Sequence, residues 1–182
     1  MRPSELSAHL DAETLIAERP SDHRSELRLW LRLLTCTTLV ENEIRRRLRE
    51  AFGVTLPRFD LMAQLYKSPD GLSLGVLSRR MMVTNGNITA LVERLVADGL
   101  VARRASPSDR RTSIVRLTAR GDADFERMAR AHAQWIADLM GGLGGGDRKK
   151  LMQTLAALKS SVRAEIHDDR QQPCADNVQG GR

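Results

Sequence analysis

The segment spanning residues 72–118 constrains the fold more than any other part of the chain. Three apolar residues near its start recur at steps of three and four, the spacing of one helix face: Leu74, Leu77 and Met81. A polar break follows, in which Thr84 or Asn85 can cap a second helix by accepting hydrogen bonds from its free amide groups. We therefore predict two short helices joined by a tight turn.

The second helix of this pair is the proposed reading element. Its apolar residues are predicted to pack inward: Ile88, Leu91, Val92, Leu95 and Val96. Amide and small side chains remain on the other faces, and they suit base edges, because Asn pairs with adenine and Thr can touch a thymine methyl group. Ala90 is small enough to permit close approach. Gly99 ends the helix at a position that favours a left-handed residue.

Residues 100–104 and 112–117 then alternate like paired strands, with turn chemistry at residues 106–108. Six arginines crowd this region against the single acid Asp109: Arg103, Arg104, Arg110, Arg111, Arg116 and Arg120. Such a local positive field favours a phosphate backbone. An isolated charge run is more often a solvated surface, but the helix pair directly before this one favours a winged helix-turn-helix that docks on duplex DNA.

Two stretches, NITALVERLVADGLVARR from Asn87 and SDRRTSIVRLTARG from Ser108, resemble the recognition helix and wing of the MarR family of transcriptional regulators. The resemblance extends over roughly residues 27–162. It implies that Asp109 braces the wing through ionic contacts, while Arg110 or Arg111 reaches the minor groove, whose negative potential attracts arginine. The full set of predicted DNA-binding residues is Thr84, Asn85, Asn87, Thr89, Arg94, Arg104, Asp109, Arg110 and Arg111.

The predicted fold class is mainly α with a small β wing, in which a winged helix-turn-helix is joined to a helical dimerisation region. A long helix is expected from about Ser25 to Phe52, ended by Gly53, and Pro57 suits the first turn of the next helix. The predicted domains are a flexible extension (1–23), a dimerisation region (24–56 and 119–167), the winged domain (57–118) and a disordered tail (168–182).

Two apolar seams after the wing have the spacing of pairing helices. They consist of Phe125, Met128, His132, Trp135 and Leu139, and of Leu151, Leu155, Leu158 and Val162. Each helix could instead pack on its own core. We favour a homodimer in which the first and last helices interlock across a two-fold axis, an arrangement that the family resemblance also implies. Two symmetric recognition helices then read a pseudo-palindrome with half-sites about one helical turn apart.

The resemblance further implies a cleft for small aromatic or anionic effectors that release the protein from DNA, usually ending repression. Candidate residues are Trp30, Arg32, Arg58, Phe59, Met62 and His132. The competing interpretation places Trp30, Phe59, Met62 and His132 in an ordinary core. Residues 56–89 are also similar to members that control phenolic or hydroxycinnamic acid catabolism, which suggests an aromatic acid or its coenzyme A thioester as the effector.

Two other functions are compatible with parts of the sequence. Cys36 could support a redox-responsive regulator, but a buried cysteine usually behaves as a small apolar residue, and Cys174 is no obvious partner. The net charge of +6 also permits nonspecific nucleic-acid binding.

The sequence shows no metal-ligand spacing and no cofactor or catalytic motif. The glycine-rich loop at residues 141–146 is not a phosphate-binding motif, because it lacks GKS or GKT. We predict a non-enzyme without cofactor or metal. No apolar run is long enough for a membrane span, and the amino terminus lacks the pattern of a signal peptide. The expected location is the bacterial cytoplasm, beside the chromosome, with no membrane partner.

Overall fold

The computed structural model describes residues 24–105 and 113–171. These contain six helices and three strands: α1 (Arg24–Phe52), α2 (Leu56–Tyr66), β1 (Leu72–Ser73), α3 (Leu74–Met81), α4 (Asn85–Ala97), β2 (Val101–Ala105), β3 (Ser113–Leu117), α5 (Ala119–Leu139) and α6 (Gly145–Gln171). The described residues divide into two compact units, one that ends at Ile136 and one that begins at Ala137. The mainly helical fold with a small antiparallel sheet confirms the predicted fold class.

Helix α1 follows the predicted bounds closely and stops at Gly53, whose φ of 65° is left-handed. In the described chain its buried apolar residues are Ile44 and Leu48, both near its carboxyl end. Ion pairs one turn apart stabilise its outer face, since Glu43 contacts Arg46 at 2.7 Å and Arg47 at 2.6 Å. Hydrogen bonds from these two arginines lower the pKa of Glu43 to about 2.

The core of the first unit lies between α2, α3, α4 and the sheet. Pro57 occupies the first turn of α2, as predicted. Fully buried side chains from each element meet there: Leu61, Met62, Leu65, Leu77, Ile88, Val92, Leu95 and Val115. The prediction that Val96 packs inward is wrong, because its side chain is 38% exposed. At 3.6 residues per turn, Val96 lies about 80° around the helix from Ile88, whereas Leu95 lies only about 20° away.

The sheet is antiparallel with the order β1-β3-β2. The predicted hairpin forms its larger part, with Val101 opposite Leu117 and Arg104 opposite Ile114. Strand β1 was not predicted, because two residues are too short to show a period-two pattern. Gly71 precedes it with a φ of 90°, and a Cβ there would lie 2.6 Å from the Ile114 side chain.

The root of the hairpin is fixed to the first turn of α5 through backbone contact. A Cβ on Gly121 would lie 2.0 Å from the carbonyl oxygen of Leu100, so only glycine permits this approach. The Thr118 hydroxyl donates to the Gly99 carbonyl at 2.8 Å and accepts from the Gly121 amide at 3.0 Å. The junction between α4 and β2 is therefore held on α5.

Within the second unit, residues 137–171 contain the end of α5, a glycine-rich loop and α6. Helix α6 carries exposed apolar side chains along its length: Leu151, Met152, Leu155, Val162 and Ile166. It continues to Gln171 and so extends past residue 168, where the tail was predicted to start. The first helix-breaking residue beyond the glycine-rich loop is Pro173, which explains the longer helix.

The predicted flexible extension at residues 1–23 and the remainder of the predicted tail, residues 172–182, lie outside the described residues. Among the residues that are described, no helix combines the length and apolar character needed to cross a bilayer.

We predict that Gly121→Ala lowers the free energy of unfolding by about 1–3 kcal/mol, because the new methyl group overlaps backbone atoms of Leu100. Gly86→Ala is the matched control, since no described atom lies within 4 Å of a Cβ there. The control should leave stability unchanged or raise it by up to about 1 kcal/mol, as alanine favours helix. Urea denaturation measures both, and equal stability of the two variants would contradict the packing described for Gly121.

Candidate nucleic-acid interface

The turn between α3 and α4 is held in one conformation by local hydrogen bonds. Ser73 caps α3, its hydroxyl accepting from the Val76 amide at 3.4 Å. At the other end of α3, the Ser78 hydroxyl donates to the Val83 carbonyl at 2.6 Å, and the Val83 amide donates to the Ser78 carbonyl at 3.2 Å. Between these residues, Met82 adopts a left-handed backbone with a φ of 55°. These local hydrogen bonds and the left-handed Met82 therefore set the direction of α3 relative to α4.

Of the two predicted caps of α4, Thr84 is the one used. Its hydroxyl accepts from the Asn87 amide at 3.4 Å. The side chains of Asn85 and Asn87 are exposed in the first turn. Thr89 is half-buried, and its hydroxyl donates to the Asn85 carbonyl at 2.9 Å. The helix end therefore presents two amides to solvent, while the proton of Thr89 is already engaged.

The surface of the first turn of α4 is open. A Cβ on Gly86 would have no described atom within 4 Å, and Ala90, one turn further, is exposed. The helix dipole places partial positive charge at this end. Arg79 and Arg80 add to this positive charge, because the sequence has no acidic residue between Asp70 and Glu93 that could offset them. This end of α4 can be approached closely by a polyanion.

The hairpin beside α4 is buried at its root, and the arginines of β2 beyond the root are exposed. Val101 and Leu117 are buried opposite each other, whereas Arg103 and Arg104 are exposed. The Arg103 guanidinium donates to the Ser113 hydroxyl at 3.4 Å. The hairpin tip, including the predicted contacts Asp109, Arg110 and Arg111, lies outside the described residues.

Arg94 lies away from the predicted DNA-binding residues at the start of α4. It is exposed in the last turn, about 10 Å along the helix axis from Asn87. The structure thus groups Thr84, Asn85 and Asn87 at one helix end and places Arg94 at the other.

Two of the six candidate effector residues are in direct ring contact. The ring centroid of Phe59 lies 4.9 Å from that of His132 and 5.4 Å from that of Phe125. Burial lowers the pKa of the half-buried His132 imidazole, so its neutral form is favoured. Phe59 and Met62 are core residues, in agreement with the competing interpretation.

The remaining candidates are engaged elsewhere or distant along the chain. Arg58 forms an ion pair with Asp98, which joins α2 to the end of α4. Trp30 and Arg32 are exposed near the start of α1. Phe52, at the other end of this helix, contacts Trp135, and Trp30 lies roughly 30 Å along the helix axis from Phe52. Trp30 is 58% exposed, so its placement in a core is wrong for the isolated chain.

Comparison with known proteins agrees with this geometry. A model of the MarR family matches residues 52–112. A solved MarR family transcriptional regulator from Silicibacter pomeroyi is 36% identical, with a TM-score of 0.67, and the alignment covers 79% of this chain and 99% of that one. This chain belongs to the MarR family of transcriptional regulators. The winged helix-turn-helix inferred from residues 72–118 is therefore that of a MarR-family protein.

Two further relatives extend the comparison. The transcriptional activatory protein BadR of Rhodopseudomonas palustris is 32% identical over 116 residues, which are 62% of this chain and 66% of BadR. The matched region thus spans slightly less than two thirds of that curated relative. The Streptomyces coelicolor regulator Sco3205, solved in complex with DNA, shares the fold with a TM-score of 0.68 at 23% identity, over 79% of this chain and 91% of that one.

Three structural residues of this MarR-family site were not predicted from the sequence: Ser73, Ser78 and Met82. Ser73 had a detectable signal, because a serine directly before an apolar periodic run is a typical helix cap. Ser78 bonds to a carbonyl five residues later, and Met82 is a non-glycine residue in a left-handed turn. Neither of these features has a simple sequence pattern.

The redox alternative depends on the two cysteines. Cys36 is a free thiol on the exposed surface of α1, and it is not the buried apolar residue that its sequence position suggested. Cys174 lies outside the described residues. Within residues 24–105 and 113–171, no three His, Cys, Asp or Glu side chains are grouped in a way that could hold a metal ion.

Proposed function

We propose that this MarR-family chain is a sequence-specific DNA-binding transcriptional regulator that binds a pseudo-palindromic operator as a homodimer. The observation that carries the proposal is the first turn of α4, where the exposed amides of Asn85 and Asn87 flank an unobstructed Gly86. A helix end of this kind can enter a major groove, which is wide enough to admit an α-helix.

In the proposed complex, each part of the winged domain has a distinct task. Asn85 and Asn87 contact base edges, and the dipole of α4 faces the phosphates. Arg104 on β2 contacts the backbone, while Arg110 or Arg111 at the hairpin tip enters the minor groove with Asp109 as its brace. Phosphate contacts position the protein, and the amides provide the preference for one sequence.

Exposed apolar side chains support the homodimer. In the first unit, α1 exposes Leu27, Leu29 and Trp30, and in the second unit α6 exposes five large apolar residues between Leu151 and Ile166. Extended apolar surfaces of this kind are uncommon on a monomer and are typical of interfaces. We propose that the partner protomer covers both surfaces, which gives the two-fold symmetry that a pseudo-palindrome requires.

Repression is the proposed mode, with release by a small aromatic acid or its coenzyme A thioester. Support comes from the family resemblance and from the Phe59–His132 pair, whose neutral, partly exposed imidazole offers a flat surface for an aromatic ring. The relative BadR is named an activatory protein. The sign of regulation is therefore tested separately from DNA binding, by transcription in the presence and absence of the protein.

We predict that selection from a random duplex library about 30 base pairs long recovers a pseudo-palindrome with half-sites about one helical turn apart. On that duplex, Asn87→Ala should weaken discrimination at one or two base positions by about 1–3 kcal/mol, since it removes a base contact. Arg104→Ala should weaken binding to all sequences alike and reduce the slope of affinity against salt by about two, about one for each protomer of the dimer. Fluorescence anisotropy across a salt series measures both effects.

The matched control is Arg130→Ala, which removes the same charge from an exposed position on α5, outside the proposed interface. Its affinity should stay within about twofold of the wild-type value, because distant surface charges are screened at physiological salt. A library that yields no enriched sequence, together with steep salt dependence, would instead establish nonspecific nucleic-acid binding.

For the effector, we predict that a hydroxycinnamic acid or its coenzyme A thioester raises the thermal midpoint of the purified protein, because a ligand that binds only the folded state stabilises it. His132→Leu should abolish the shift if the imidazole forms part of the ligand surface. His167→Leu makes the same substitution at an exposed position on α6 and is the matched control. Absence of a shift with either compound would reject this effector class and leave the DNA-binding proposal unaffected.

A further inference from the structure

Met82 combines two properties that are unfavourable for the isolated chain. Its backbone is left-handed, with a φ of 55° and a ψ of 38°, and its side chain is 92% exposed. A side chain in this backbone region is disfavoured by contact between its Cβ and the neighbouring carbonyl. The turn of a helix-turn-helix often contains glycine, which avoids that contact. Methionine at this position therefore costs stability, and its exposed side chain recovers little of it through packing.

The left-handed backbone is imposed by the neighbouring residues. The Met82 amide donates to the Arg79 carbonyl at 3.4 Å, and the Val83 amide donates to the Ser78 carbonyl at 3.2 Å. The Ser78 hydroxyl adds its bond to the Val83 carbonyl. These bonds close the end of α3 in the usual manner of a left-handed cap. Glycine would satisfy all of them with less strain.

The surroundings of Met82 suit a polyanion. Its own turn contains Val83, also exposed, and it is followed directly by the exposed first turn of α4. Arg79 and Arg80 lie on the preceding helix, and the sequence has no acidic residue between Asp70 and Glu93. An apolar side chain in the middle of such a surface can contact the carbon atoms of a nucleic acid while the cations face its phosphates.

We propose that Met82 is a DNA-contacting residue whose side chain packs against apolar carbons of the duplex, either a thymine methyl group or the deoxyribose. The inference rests on the proposed function, because it takes the first turn of α4 as the reading element. Methionine suits this task, since its three rotatable bonds and polarisable sulfur adapt to an irregular surface. A helix-turn-helix also places its turn between the backbone-crossing helix and the groove-reading helix.

The test uses Met82→Gly and Met82→Leu in the full chain, with the duplex recovered by selection. Met82→Gly should leave the thermal midpoint unchanged or raise it by about 2–4 °C, because strain is relieved. Its DNA affinity should nevertheless fall by about tenfold for a dimer on two half-sites, as roughly one buried methylene is lost from each. Met82→Leu should retain most of the affinity, since it keeps an apolar side chain.

Deoxyuridine substitution identifies the contacted carbon. If removing one thymine methyl weakens the wild type but not Met82→Gly, the contact is to that methyl group. If no thymine matters and Met82→Gly is still weaker, the contact is to deoxyribose. Both outcomes support the proposal. Equal affinity of Met82→Gly and wild type overturns it, as does a change of oligomeric state in sedimentation, which would make a second protomer the occupant.

Failure of this inference can be distinguished from failure of the proposed function. If the wild-type protein selects no duplex, the DNA-binding proposal itself fails. If the wild type binds a selected duplex and Met82→Gly binds it equally well, DNA binding stands and only the role of Met82 is rejected.

Discussion

The contact between Gly121 and the Leu100 carbonyl is the constraint on which the proposed DNA-binding surface depends. It brings the start of α5 against the junction between α4 and β2, at a distance that excludes any Cβ. Thr118 stabilises the same junction through its bonds to Gly99 and Gly121. Because α4 ends and the hairpin begins at this junction, one contact sets the direction of both elements relative to α5.

A second constraint acts at the opposite end of α4. The left-handed turn at Met82 and the Thr84 cap determine which residues of the first helical turn face solvent. The proposed specificity follows from these positions more than from the net charge, since a charge of +6 is compatible with any acidic partner. Two exposed amides on a rigid helix end, beside exposed arginines on a strand, are a more restrictive arrangement.

Features determined by local physical chemistry could be predicted from the sequence. The extent of α1, the first-turn Pro57, the Thr84 cap, the left-handed Gly99 and the hairpin strands all have signals within a few residues. Features that depend on tertiary contacts could not be predicted. Strand β1 exists only because β3 lies beside it, and the ion pair of Arg58 with Asp98 joins residues 40 apart. Trp30 and Val96 show the same limit, because periodicity cannot tell whether an apolar stripe has a neighbour to cover its edge.

The most direct test of the central claim, that the first turn of α4 faces the DNA, is the affinity of Ala90→Glu for the selected duplex. Ala90 is exposed and lies one turn from Asn87, so glutamate should be tolerated in the free protein with a change in stability of about 0.5 kcal/mol or less. Ala123→Glu introduces the same charge at an exposed position on α5. We predict a loss of at least about 100-fold for Ala90→Glu, because its carboxylate would meet DNA phosphates, and a much smaller loss for Ala123→Glu. Equal affinities of the two variants would contradict the proposed orientation of α4.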